Sequence, residues 1–347
     1  MILLVLLALL LVLVMALGVP GRIIVLVLAL IWTAVVGALI FLPVDLPLVQ
    51  ALGGDWRPWV ALMGVALVAL FYRRLLQGLR QRAVPLSKGD DASGSAFSAA
   101  ELDRYARHIV LREVGGPGQK RLKAARVLVI GAGGLGSPAL LYLAAAGVGT
   151  IGVIDDDLVS NANLQRQIIH TDAGIGQPKV ASARAAMLAL NPFVTVKTYL
   201  ARLDTSMAEG LFADYDLILD GSDNFATRYL VNEAAVALGK PLISGAISQW
   251  EGQIGLFHAA GGGPCYACLF PQSPAEGLAP SCAEAGVVGP LPGVVGSMMA
   301  LEAIKFLTGA GATLAGKLMI YDGLWGESRT VATARRAGCA CCGERIE

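Results

Sequence analysis

The chain has 347 residues, 27 basic and 26 acidic side chains and a formal net charge of +1. That balance lacks the basic surplus of a nucleic-acid binder. Hydrophobic residues reach 55% and charged residues only 15%, and all six cysteines lie beyond residue 260, which excludes a small secreted disulfide scaffold.

Residues 1 to 72 contain four charges: Arg22, Asp45, Asp55 and Arg57. Met1 to Leu17 and Ile23 to Leu42 are apolar runs near the ~20 residues a spanning helix needs. A third run, Trp59 to Tyr72, covers only ~21 Å at 1.5 Å per residue, so it spans only if Arg57 and Arg73 snorkel and the bilayer thins. The segment after it holds Arg73, Arg74, Arg80 and Arg82 with no acid, and the positive-inside rule places it in the cytoplasm. A cleaved signal peptide is the competing reading of the first run, which lacks a basic segment ahead of its apolar core. The expectation is an anchor over 1–82, with two or three helices and a basic flank, in the inner (cytoplasmic) membrane. Residues 83–97, rich in Gly, Ser and Asp, read as a flexible linker. The remainder, 98–347, is expected to face the cytoplasm and opens on a Ser98/Glu101 capping-box pattern.

Within it, the β-branched run Ala125 to Ile130 leads into Gly131, Gly133, Gly134 and Gly136 of a GxGxxG turn and then a helical pattern. Strand, glycine turn and helix stand in the order a phosphate-binding turn requires, the helix N-terminus offering free N–H groups. A second strand ends in Asp155, about where a ribose-binding acid belongs, ~20 residues on. An NAD-binding fold shares these features, and a turn that merely packs helix on strand is the plainer reading. Arg166 and Lys179, further on, suit a group-transfer enzyme acting on ATP, where charge develops on phosphate oxygens. No GxxxxGK[ST] loop occurs. Asp223 follows the strand Leu217 to Asp220, a position from which a carboxylate can hold Mg²⁺ against phosphates; an Asx turn or helix cap is the structural alternative.

Cys265/Cys268 and Cys339/Cys342 have the spacing of two zinc knuckles, which one tetrahedral Zn²⁺ would satisfy; a redox dithiol or unligated buried thiols are the alternatives. Cys341 reads as a spare thiol. His108, His170 and His258 are scattered and read as structural.

The segments GAGGLG, DDDLVSNANLQRQ, GQPKV, DGSDN, EGQI and CAEAGVVGPLPGVVGSMMALEAIK together resemble the ThiF/MoeB/HesA family over residues 98 to 347. These are bacterial relatives of the ubiquitin-activating enzymes. The likeness is greatest to molybdopterin-synthase adenylyltransferase, with the thiamine-pathway enzyme next. It implies an α/β fold with a Rossmann-like, mixed but mostly parallel sheet, here preceded by a helical transmembrane segment. It further implies a homodimer in which Gly134 lines the nucleotide, Asp155 takes the ribose, Asn163, Arg166 and Lys179 contact the phosphates, and Asp223 holds magnesium. Arg107 matches an arginine that reaches into the partner protomer's site. Cys282 matches a cysteine that in some relatives accepts the activated carrier, although a surface cysteine without activating neighbours is commonly inert. Ala162 stands where relatives often carry a hydroxyl.

The activity so implied is ATP-dependent adenylation of the C-terminal carboxylate of a ubiquitin-like sulfur-carrier protein, the small subunit of molybdopterin synthase. The rivals are adenylation of the thiamine-pathway carrier and a membrane-anchored nucleotide-binding scaffold without turnover. The chain ends five residues after Cys342, and no rhodanese-like segment follows. A separate persulfide donor is therefore expected.

Overall fold

The structure is a computed structural model describing residues 21–43, 45–82, 97–274 and 285–343. The run Met1 to Leu17, residues 83–96 and Cys282 lie outside the described residues. The chain divides into two compact units, 1–93 and 94–347.

In the first unit, Gly21–Phe41 (α1), Pro47–Ala51 (α2) and Arg57–Arg82 (α3) are helical. Leu39, Val49 and Leu52 are buried together, with Val35 and Trp59 packed on them. Two indole N–H groups close this cluster: Trp32 donates to the carbonyl of Trp59 and Trp59 to that of Leu52, each at 3.2 Å. The second half of α1 therefore meets the first turn of α3. Unlike the apolar run Trp59 to Tyr72, α3 continues unbroken through the basic segment for 26 residues.

The second unit opens as its first residues dictate. Ser98 Oγ accepts from Glu101 N and Glu101 Oε2 from Ser98 N, a reciprocal capping box that starts Ala99–Arg104 (α4). The helical pattern breaks at Tyr105, whose hydroxyl accepts from Asn191 Nδ2 at 2.8 Å, and resumes as Ala106–Ile109 (α5). Gly115–Ala124 (α6) leads to the first strand.

The core alternates Arg126–Ile130 (β1), Gly136–Ala146 (α7), Thr150–Ile154 (β2), Lys179–Leu190 (α8), Thr195–Tyr199 (β3), Thr205–Ala213 (α9), Leu217–Asp220 (β4) and Phe225–Ala237 (α10). Leu242–Ile247 (β5), Glu251–Phe257 (β6), the short Tyr266–Leu269 (α11), Pro290–Thr308 (α12), Lys317–Asp322 (β7) and Glu327–Ala332 (β8) complete it. The strands form one sheet in the order β3-β2-β1-β4-β5-β6-β7-β8. From β3 to β5 the pairs are parallel, and from β5 to β8 antiparallel. A mixed, mostly parallel α/β sheet was expected, and it is found.

Side-chain alternation divides the core between the two faces of the sheet. Val127, Val129, Ile151, Val153, Leu217 and Leu219 pack with α7, α8 and α12 on one face. Leu128, Ile130, Ile154 and Ile218 pack with α9 and α10 on the other. Each fully buried aliphatic side chain contributes roughly 1.5–3 kcal/mol. Among the described residues one helix, α12, is long and apolar enough to cross a membrane; half of it is buried, and it supplies Leu291, Val295 and Met299 to the core.

Parallel order reverses between β1 and β4, whose last residues Ile130 and Asp220 are paired. Open α/β sheets hold ligands in the crevice outside such a point.

Candidate active site and four-cysteine cluster

The glycine-rich turn lies at that crevice. Gly131 takes φ +91°, a left-handed conformation that side chains disfavour, and a Cβ on Gly136 would lie 2.0 Å from the carbonyl oxygen of Gly131. These two glycines make the turn possible. Gly133 and Gly134 line a cleft of about 1020 Å³.

The peptide of Ala132, at the middle of the turn, is gripped on both sides. Asp155 Oδ2 accepts its N–H at 2.8 Å, and His170 Nε2 lies 2.9 Å from its carbonyl oxygen. A carbonyl only accepts, so Nε2 carries the proton and Nδ1 accepts from the Ser182 hydroxyl at 3.0 Å. Burial holds His170 below the ordinary imidazole range. Asp155 Oδ1 accepts the N–H of Asp157 at 2.8 Å, so this carboxylate braces the turn as well as lining the cleft.

Arg166, Gln167 and Lys179 also line the cleft. Lys179, 4% exposed, pairs with Asp157 at 2.7 Å. Arg166 donates to Asn163 Oδ1 at 3.1 Å and to the Ala162 carbonyl at 3.3 Å. Asn163 itself is not a lining residue; it orients Arg166. Because the Ala162 contact is made by backbone, its missing hydroxyl leaves that contact unchanged. Gln167 Oε1 is the one buried side-chain polar atom without a hydrogen-bond partner among the described residues. A donor group in the cleft would satisfy it.

Across the cleft, α10 begins at Asn224, whose side chain accepts from Thr227 N at 2.9 Å. The cap is thus Asn224 and not Asp223, which is left exposed on the cleft wall. The loop carrying Asp223 is held from beneath by buried Asp220. Its Oδ1 accepts from the Ser222 backbone N–H and hydroxyl at 3.0 and 2.6 Å, and its Oδ2 from Ser244 at 3.0 Å. Buried Arg228 lies 3.9 Å from Asp220 and donates to the carbonyls of Ser222 and Gly245. Sequence reading missed Gln167 and Arg228. Arg228 sits four residues after the Asn224 cap, on the same helix face, but only the fold shows what it holds.

Arg107 is exposed on α5 and is absent from the lining of its own chain's cleft.

Away from the glycine turn, Cys265, Cys268, Cys339 and Cys342 are buried together with all four sulfurs within 4.8 Å of one another. The Sγ separations are 3.8 Å for Cys265 and Cys268, 3.7 Å for Cys265 and Cys339, and 3.4 Å for Cys268 and Cys342. Four thiolates at ~2.3 Å from a central Zn²⁺ would stand ~3.8 Å apart, whereas a disulfide requires ~2.05 Å. Burial pushes the Cys268 thiol up, and the Cys342 thiol up to about 12. A bound cation would ionise them. The cluster fits a tetrahedral metal and does not contain a disulfide.

A family profile described as the ThiF family matches residues 105–341. The chain belongs to the ThiF family. It is 52% identical over 252 residues to the sulfur carrier protein adenylyltransferase of Thermus thermophilus, covering 72% of this chain and 93% of that one. It is 54% identical over 240 residues to the probable adenylyltransferase/sulfurtransferase MoeZ of Mycobacterium tuberculosis, covering 68% of this chain and 61% of that one. The chain thus spans less than two thirds of MoeZ. In fold, this ThiF-family chain resembles the crystal structure of E. coli MccB with ATP, with TM-score 0.61, 24% identity, and coverage of 70% and 75%.

Proposed function

We propose that this chain is an adenylyltransferase that uses ATP to activate the C-terminal carboxylate of a ubiquitin-like sulfur-carrier protein, the small subunit of molybdopterin synthase. One observation carries the reading. At the β1/β4 crevice a glycine turn, two cationic side chains and an exposed carboxylate relieved of any capping duty face a single cleft. The same cleft runs on to Gln253 of β6, Ile320 of β7 and Arg329 of β8, space for an extended peptide end to approach.

In the proposed reaction a carboxylate oxygen of the carrier attacks the α-phosphorus of ATP. The bond to the bridging oxygen of the β-phosphate breaks, pyrophosphate leaves with that electron pair, and an acyl-adenylate forms. The carboxylate is already ionised, so no general base is required. Gly133 and Gly134 let the backbone approach the nucleotide, and Asp155 is placed for the ribose. Arg166 and Lys179 offset charge on the phosphates, and the cleft holds nucleophile and phosphorus in line. Lys179 would exchange part of its pairing with Asp157 for phosphate. Asp223 would hold Mg²⁺, which supplies charge neutralisation to the phosphates. Zn²⁺ in the four-cysteine cluster would tie the C-terminal segment to the domain.

The working unit in this reading is a homodimer in which Arg107 completes the partner's cleft. Exposed Val110, Leu111, Tyr142 and Leu301 supply apolar surface for that contact. The first unit anchors the enzyme in the cytoplasmic membrane. Support comes from its exposed apolar side chains, Phe41, Leu62, Val65, Val68 and Phe71 among them.

The experiment is ATP–pyrophosphate exchange with purified molybdopterin carrier, thiamine carrier or neither. Exchange dependent on the molybdopterin carrier supports the reading. Exchange with the thiamine carrier alone moves the enzyme to that pathway, and no exchange with either carrier leaves a nucleotide-binding scaffold.

A further inference from the structure

The four-cysteine cluster and the Asp223 loop share one helix. Asn232 of α10 is 1% exposed and makes two contacts with the cysteine module. Its Oδ1 accepts the backbone N–H of Tyr266, inside the Cys265/Cys268 knuckle, at 2.8 Å. Its Nδ2 donates to the Sγ of Cys341, inside the second knuckle, at 3.1 Å. One buried amide therefore grips both knuckles. Four residues earlier on α10, so on the same helix face, Arg228 holds the loop that carries Asp223 through the Ser222 carbonyl. Tyr266 closes the arrangement from the other end: the knuckle's second residue is itself part of the cleft wall, beside Arg228. Its ring is packed against Phe257, Tyr229 and Phe270, with centroids 5.6, 5.5 and 4.8 Å away, so it cannot move independently of the sheet and α10.

We infer that Asn232 is a positioning residue through which the metal-bound cysteine module sets the geometry of the nucleotide cleft. Tyr266 and the α10 face bearing Arg228 form the connection. The inference rests on the adenylation reading of the cleft and assigns the cluster a second task besides tethering the C-terminal segment. Packed elements with fixed hydrogen bonds transmit a shift at one end to the other. Release of the metal frees both knuckles, removes the order that Asn232 relies on, and relaxes the wall at Tyr266 together with the Asp223 loop.

The test is Mg-ATP affinity, measured by calorimetry without carrier, on the full chain in detergent. Asn232→Ala should keep one zinc per chain yet bind Mg-ATP about tenfold more weakly, as loss of a supporting hydrogen bond around a site commonly costs. The KM for ATP should rise with it while the KM for carrier stays, a split that a general loss of folded protein would not produce. Wild-type protein stripped of zinc should show the same weakening, recovered on adding zinc alone. If Asn232→Ala does not fold, Cys341→Ala removes only the second contact and leaves all four ligands. It should weaken Mg-ATP roughly threefold, the net worth of one modest hydrogen bond. Unchanged affinity in a folded Asn232→Ala, in Cys341→Ala, or in stripped wild type would overturn the inference. Wild-type zinc protein that bound no Mg-ATP would instead overturn the adenylation reading, and this inference with it.

Discussion

Asp155 and Ala132 are joined by a 2.8 Å hydrogen bond in which the carboxylate accepts the N–H at the centre of the glycine-rich turn. The acid that sequence spacing assigns to a ribose thus also holds the turn against which the phosphates would lie. Asp155→Ala should lose both functions: Mg-ATP affinity falls, and the orphaned N–H groups cost about 1–3 kcal/mol. Urea denaturation and ATP titration of the same protein check this. Lost affinity at unchanged stability would mean that the bond to Ala132 contributes nothing.

His170 grips the other side of the same peptide, and its protonation opposes folding. Its native pKa is depressed by burial, so the unfolded chain takes up the proton first as pH falls. Stability is therefore complete above the free imidazole value of about 6.5 and declines as pH drops below it. Urea midpoints of the 98–347 unit between pH 8 and pH 5.5 should show this slope. His170→Gln should flatten it.

Asp223 and Asn224 divide two roles that adjacent residues could easily confuse. Asn224→Ala removes the cap of α10 and should cost ~1 kcal/mol in stability. Asp223→Ala should change stability by less than ~0.5 kcal/mol, as an exposed substitution does, and nearly abolish adenylation. Thermal melts alongside exchange assays separate the two. A cap-sized destabilisation with normal turnover in Asp223→Ala would reverse the assignment.

Elemental analysis should find one zinc per chain in freshly purified, reduced protein. Cys339→Ser should lose it and Cys341→Ser should keep it. Retention of zinc in Cys339→Ser would reject the four-sulfur site.

On the proposed reading of the first unit as an anchor, the two units should work separately. A chain beginning at Ser98 should be soluble, dimeric and as active per molecule as the full chain in detergent, since the charges Arg22, Asp45, Asp55 and Arg57 all sit outside the cores of the apolar runs. A folded truncated dimer with less than a tenth of the full-length rate would show that the first unit shapes the site.

Much of this site could be read directly from the chain because its elements are local. GxGxxG, a strand end followed by an acid, and paired CxxC spacings are short-range patterns with a mechanism behind each. The capping box at Ser98 and Glu101 formed as its pattern demands. Tertiary relations were not readable. Nothing in the spacing of Asp220, Arg228 and Ser244 reveals that they meet under the Asp223 loop. That Asn232 bridges two knuckles depends on α10 lying against both. Asp223 could be taken for a cap because Asp and Asn are equally good caps, and only the backbone shows which residue precedes the first turn.

The central claim, carrier adenylation at the β1/β4 crevice, is tested most directly by carrier-dependent exchange of labelled pyrophosphate into ATP. The account predicts exchange that requires both Mg²⁺ and a sulfur carrier with an intact C-terminal carboxylate, and that disappears in Asp223→Ala. Exchange that proceeds without any carrier, or a folded wild-type enzyme that exchanges none with either carrier, would contradict it.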